Sequence, residues 1–146
     1  MVSKKLLLFS FLFIIFASLF TSCNLMSKAN IIASVPKTIH CELNMFNGCE
    51  WNYTITFTET NGIKAVIYSM SVRYKDGKGE EFIQPWFDTD VIVPPNGNAT
   101  FSRSLTNNNV DSLGGEIIFG FIWRNQEVFP YVPTTGKVII ILEKPQ

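Results

Sequence analysis

Trp51-Asn52-Tyr53-Thr54-Ile55-Thr56-Phe57-Thr58 is the stretch that decides the fold. Aromatic and β-branched residues alternate with asparagine and threonine. A period of two puts one apolar face against a core and one hydroxyl-bearing face in water. A helix would group its apolar residues at alternating intervals of three and four, whereas here they recur at every second position. Glu59-Thr60-Asn61-Gly62 then turns the chain. A second long strand is predicted over 63–74, with Val66, Tyr68, Met70, Val72 and Tyr74 on one face.

Working outward from there, Asp76-Gly77-Lys78-Gly79 is a turn, and Glu81 to Gln84 is a short segment stopped by Pro85. Trp86 to Val93 has no clean period, and Pro94-Pro95-Asn96-Gly97 breaks it. Ala99 to Leu105 reads as a strand, Thr106 to Leu113 as a polar loop, and Val128 to Pro133 as a loop or short edge. Glu116 to Arg124 carries Ile117, Phe119, Phe121 and Trp123 on one face and Ile118 and Ile122 on the other, the pattern of a central strand. Gly136 to Leu142 closes the domain. Upstream, Thr38 to Phe46 is a first strand ending at Asn47-Gly48. About seven short strands separated by turn signals, with no helical period, predict an all-β sandwich.

The stretch from Trp51 to Tyr74, together with Val93-Pro94-Pro95-Asn96-Gly97, resembles the B–C hairpin and the later Pro-x-Asn-Gly turn of bacterial immunoglobulin-like and fibronectin-type-III-like envelope modules. The resemblance runs over roughly residues 36–144. It implies an immunoglobulin-like antiparallel β-sandwich, in a class of modules that bind, space or display rather than catalyse.

The start of the chain has a different composition. Lys4-Lys5 precedes an apolar run from Leu6 to Phe20, followed by Thr21-Ser22-Cys23. A cationic start, a short apolar run and small residues form the layout of an export signal. The competing reading is a transmembrane anchor, but a span needs about twenty apolar residues, and this run is shorter. Leu19-Phe20-Thr21-Ser22-Cys23 is similar to a bacterial lipobox, with Leu one place further from the cysteine than the usual pattern and Phe20 in its stead. The expected organisation is a signal at residues 1–22, a lipidated Cys23 with a tether at 23–35, and a sandwich at 36–146. The expected location is the cell envelope, on the outer membrane of a Gram-negative bacterium. Secretion with an incidental cysteine is the alternative.

Lipidation of Cys23 also accounts for an odd cysteine count, because Cys41 and Cys49 then remain as a pair in an oxidising compartment. They flank the Asn47-Gly48 turn, and the alternative is two free thiols. With His40, the only histidine, they do not make up a metal site. No metal and no cofactor is expected.

The chain carries 12 basic and 12 acidic residues, and removal of Lys4 and Lys5 with the signal leaves 10 against 12. That balance offers nothing to nucleic acid, which is not an expected partner. One histidine permits no confident nucleophile–base arrangement, and no phosphate loop or nucleophile elbow is present. Asp88 and Asp90 flank Thr89 and supply two oxygen ligands where calcium wants six or more. Asn52-Tyr53-Thr54 and Asn98-Ala99-Thr100 match a glycosylation acceptor that a bacterial lipoprotein does not normally use. The aromatics are left. Trp86, after Pro85 in an unpatterned stretch, and Tyr131, in Phe129-Pro130-Tyr131, are the candidate ligand contacts, the alternative being that such rings belong to the core or plug a loop. The expectation is a non-catalytic envelope module held to the membrane through Cys23, with an envelope protein or a glycan as partner. A carbohydrate-binding module or adhesin is the first alternative, and an enzyme or enzyme inhibitor the second.

Overall fold

The computed structural model describes residues 28–127, 129 and 131–145. The expected signal and Cys23 lie outside the described residues. The decisive stretch forms β4 (Cys49–Glu59), with Trp51, Tyr53, Ile55 and Phe57 buried and Asn52 and Thr54 exposed. It is the middle of a four-stranded sheet. β7 (Asn98–Asn107) pairs along its whole length on one side, while β1 (Ile31–Ser34) and β3 (Glu42–Leu43) share the other.

The second sheet has five strands in the order β2 (Thr38–Ile39), β9 (Thr134–Leu142), β8 (Gly115–Asn125), β5 (Ala65–Asp76) and β6 (Glu81–Val93). Every pairing is antiparallel except β2 with β9. β8, apolar on both faces, is central as its composition predicts. The two sheets face each other as a sandwich. Phe57 packs edge-on against Phe121 at 5.0 Å between ring centroids, and Phe101 packs against Phe119 at 5.7 Å. Gly136 faces Phe121 across the β8–β9 ladder, where a side chain would overlap the ring.

The structure corrects the sequence reading in five places. β4 and β5 do not form a hairpin, because they lie in different sheets. Their connection is an arch over the end of the core, which lets two strongly apolar faces oppose each other. The expected single face of β5 is also split. The register against β8 slips between Ile67 and Ser69, so Tyr68 is an extra, bulged residue. The core therefore takes Ala65 and Ile67 before the bulge and Met70, Val72 and Tyr74 after it. Tyr68 turns to the outer face, where the Arg124 guanidinium lies 5.4 Å from its ring.

Residues 29–35, expected in the tether, belong to the sandwich. Ala29 and Ile31 are buried and β1 pairs with β4. The expected first strand over 38–46 is two short ones, β2 and β3, in different sheets. Pro36, which has no N–H to give a ladder, lies between β1 and β2 where the chain changes sheet. Finally, β6 runs through Pro85 without ending. As an edge strand it tolerates proline, and the register slips there, leaving Pro85 and Trp86 opposite the single residue Ser71.

Two poles result. At the entry pole, Ala29 N–H donates to Asn125 Oδ1 (2.8 Å), Trp123 Nε1 donates to the Ala29 carbonyl (3.2 Å), and Asn61 Nδ2 donates to the Lys28 carbonyl (2.9 Å). At its centre is Glu59, a buried carboxylate. Its Oε1 accepts from the N–H groups of Asn30 (3.1 Å) and Asn61 (2.8 Å), and its Oε2 from those of Ile63 and Asn96 (both 3.1 Å). One side chain thus gathers the chain entry, the β4–β5 arch and the β6–β7 turn. At the far pole, a disulfide joins Cys41 to Cys49, with Cα atoms 5.2 Å apart, and staples the β3–β4 hairpin.

Candidate functional site

β6 places the one predicted contact residue that lies on a sheet. Its bulge at Pro85 and Trp86 turns the tryptophan onto the outer face of the five-stranded sheet, where it is 52% exposed. The ring reaches across Ser71 of β5 to Gly120 of β8. A Cβ at position 120 would stand 3.2 Å from Trp86 Cη2 and 2.7 Å from Ser71 Oγ. Gly120 therefore makes the shallow seat on which the ring rests. One ladder rung away, Ile139, Ile118, Arg73 and Ile83 line up across four strands. Ile83, Ile139 and Ile141 are exposed there. The outer face thus displays isoleucine and tryptophan, with Arg73 and Lys137 beside them.

The opposite outer face has another character. Asn52, Thr54, Thr56 and Thr58 stand beside Ser104, Ser102, Thr100 and Asn98 in register, with a hydroxyl–hydroxyl bond of 2.8 Å between Thr54 and Ser102. Both glycosylation-type asparagines, Asn52 and Asn98, are on this polar sheet.

Tyr131 lies on another element than Trp86. It sits 48% exposed in the loop between β8 and β9, edge-on to Phe129 at 6.2 Å. The structure does not bring the two aromatics together. His40 is an exposed residue in contact with Glu143. Asp88 and Asp90 share an open hollow with Tyr68 and Thr89, and no cluster of three metal-ligating side chains occurs among the described residues.

Sequence reasoning missed a cleft. β6 and β7 are edge strands of different sheets on the same side of the sandwich, and between them opens a cavity of about 440 Å³. Val72, Tyr74, Phe82 and Leu105 form its apolar wall, and Gln84, Glu80 and Asn107 stand at its rim. Its size falls in the range of small-ligand sites. Its polar groups are committed, however. The Tyr74 hydroxyl donates to the Gly114 carbonyl (3.0 Å) and accepts from Asn107 Nδ2 (3.1 Å). Burial pushes the Tyr74 pKa up, so the phenol keeps its proton at neutral pH.

Asp76 caps its own turn, accepting from the N–H groups of Lys78 (2.9 Å) and Glu80 (2.8 Å). Burial opposes its ionisation. The hydrogen bonds from Glu80, Lys78, Ser112 and Gly79 outweigh that and hold its carboxyl below the ordinary value. Glu59 follows the same logic: burial raises its pKa, four backbone N–H groups together lower it by more, and the net shift is downward. Both acids are ionised structural anchors. Between the sheets, Arg103 lies 5.0 Å from the centre of the Phe87 ring, and its Nη1 finds no hydrogen-bond partner. A strand-alternation pattern marks Arg103 as inward only once Phe101 and Leu105 are assigned to the core.

No known protein family matches this chain, and neither does any curated protein. Solved structures do. The ApaA protein from Bordetella pertussis superposes with a TM-score of 0.60 at 11% identity, over 80% of this chain and 97% of its own. The structural-genomics target SoR45 superposes with a TM-score of 0.54 at 10% identity, over 76% of this chain and 82% of its own. The CARDB domain of the PF1109 protein from Pyrococcus furiosus, solved in complex with di-metal ions, gives a TM-score of 0.39 at 10% identity, over 81% and 91%. At these identities the first two share a fold with this chain and nothing finer.

Proposed function

We propose that this is a lipid-anchored envelope protein whose immunoglobulin-like sandwich is a binding or structural module rather than an enzyme. The observation that carries the reading is the Cys41–Cys49 disulfide. A structural disulfide suits an extracytoplasmic compartment. It also leaves Cys23, at the end of an export-type signal, outside that pair. The sheet order supports the immunoglobulin-like assignment. The first strands divide between the two sheets, β1 on β4 and β2 parallel to β9, and β6 extends the sheet of β9, β8 and β5 as an extra strand does in variable-type domains.

Growth with labelled palmitate tests the anchor. The wild-type protein is expected to carry label at the mass of the mature chain, and Cys23→Ala to carry none. An unlabelled wild type overturns the reading.

A second reading is favoured by Trp86, a half-exposed aromatic ring on the outer face, the kind of side chain a sugar ring stacks on. Gly120→Ala is expected to lift the Trp86 ring from its seat and weaken glycan binding as much as Trp86→Ala does. Glycan binding that survives both substitutions rules this site out.

A further inference from the structure

We infer that the β8–β9 loop is a second membrane contact, inserting Phe129 and Tyr131 into the bilayer interface beside the lipid on Cys23. This inference rests on the anchor proposed above. Ala29 is clamped to the last residues of β8 by the bonds to Asn125 and Trp123, so the segment leading back to Cys23 leaves the sandwich next to the start of the loop. The loop itself is tied to the same pole. Gln126 N–H donates to the Lys64 carbonyl (2.9 Å), and Lys64 Nζ holds the Glu127 carboxylate at 2.6 Å.

The distance is short. Only residues 24–28 separate Cys23 from Ala29, a path of at most ~20 Å even when fully extended. A lipid on Cys23 therefore keeps the entry pole within ~20 Å of the bilayer surface. The side chains displayed there suit that position. Phe129 is 64% exposed, and Tyr131 and Val132 stand exposed beside it. Aromatic rings with one wet end favour the headgroup level of a bilayer. Lys64 pairs with Glu127, the acid at the start of the loop, and offsets its charge. A lipid chain and a protein side-chain contact together make a firmer anchor than either alone.

Differential quenching in the lipidated full chain tests the loop. Phe129→Trp and, at the far pole, Phe46→Trp each add one reporter to the three native tryptophans. The chains are reconstituted into vesicles of phosphatidylethanolamine and phosphatidylglycerol with brominated acyl chains. Relative to wild type, the Phe129→Trp signal is expected to shift to shorter wavelength and be quenched at least twofold, and the Phe46→Trp signal to be unaffected. Equal quenching at the two positions, in protein that carries palmitate label, overturns the loop contact and leaves the anchor standing. Absence of label removes both. Unchanged far-ultraviolet circular dichroism of the two variants establishes that each is folded.

Discussion

The two poles of the sandwich both close the ends of one core, and they do it by different means. The entry pole is gathered by an ionised carboxylate: Glu59 accepts from backbone N–H groups in three separate chain segments. The far pole carries a covalent staple, Cys41–Cys49, around a hairpin whose turn is organised by Asn44. The Asn44 side-chain oxygen accepts from Phe46 and Gly48 N–H (both 3.0 Å), and its Nδ2 donates to Asn108 at 2.7 Å. Both poles display apolar residues, Phe129 and Tyr131 at one and Leu43, Met45 and Phe46 at the other. The lesson is that an end of a β-sandwich can be sensitive to acid or to reductant according to which device closes it, with the same strands between.

The largest expected effect comes from emptying the entry pole. Glu59→Ala leaves four backbone donors without their acceptor and is expected to cost on the order of 3 kcal/mol, read from urea unfolding. Removing the staple with Cys41→Ser and Cys49→Ser is next. A closed loop of this length is expected to contribute about 2–3 kcal/mol on the chain-entropy account, and wild type under reductant should show the same loss.

Acid then separates the poles. Glu59 ionises more readily in the folded chain than its ordinary value of 4.5, so the stability it confers is present above that value. That stability is lost as pH falls below about 4.5 and on through the lowered folded value. Asp76 adds a loss of the same sign starting below 3.8. Glu59→Gln should flatten the first part of this acid limb, whereas the double cysteine variant should keep it. Unfolding midpoints across pH 2–6 decide the matter. Asn44→Ala at the far pole should cost about 1 kcal/mol, because one side chain organises the turn. Smallest of all, Phe46→Ser should change stability by less than about 0.5 kcal/mol, since an exposed ring contributes little to folding.

Legibility in the sequence followed the range of the interaction. β4 and β8 were readable because alternation along one strand reports directly on which side faces a core. Trp86 and Tyr131 stand out in the sequence as rings without a clear place in a strand pattern, because proline and broken alternation surround them, and their exposure is visible only in the structure. The Tyr68 bulge was not readable, since a residue that shifts the phase of a strand has the same composition as one that keeps it. β1 was missed because four residues are too few to show a period. The cleft was missed because it belongs to two edge strands in different sheets, and nothing in either strand says that they end up side by side.

By itself the sequence determined an all-β chain with a cysteine pair astride a turn, preceded by a segment of another composition. Those are local properties, written in the alternation of neighbouring residues. Tertiary structure alone decided that β4 and β5 arch between sheets, that Glu59 ties three segments together, and that the chain enters beside the aromatic loop. The last two depend on hydrogen bonds between residues 29 to 96 positions apart, and the first on which sheet each strand joins. Such partners are chosen by the packing of whole sheets, which no single stretch of the chain contains.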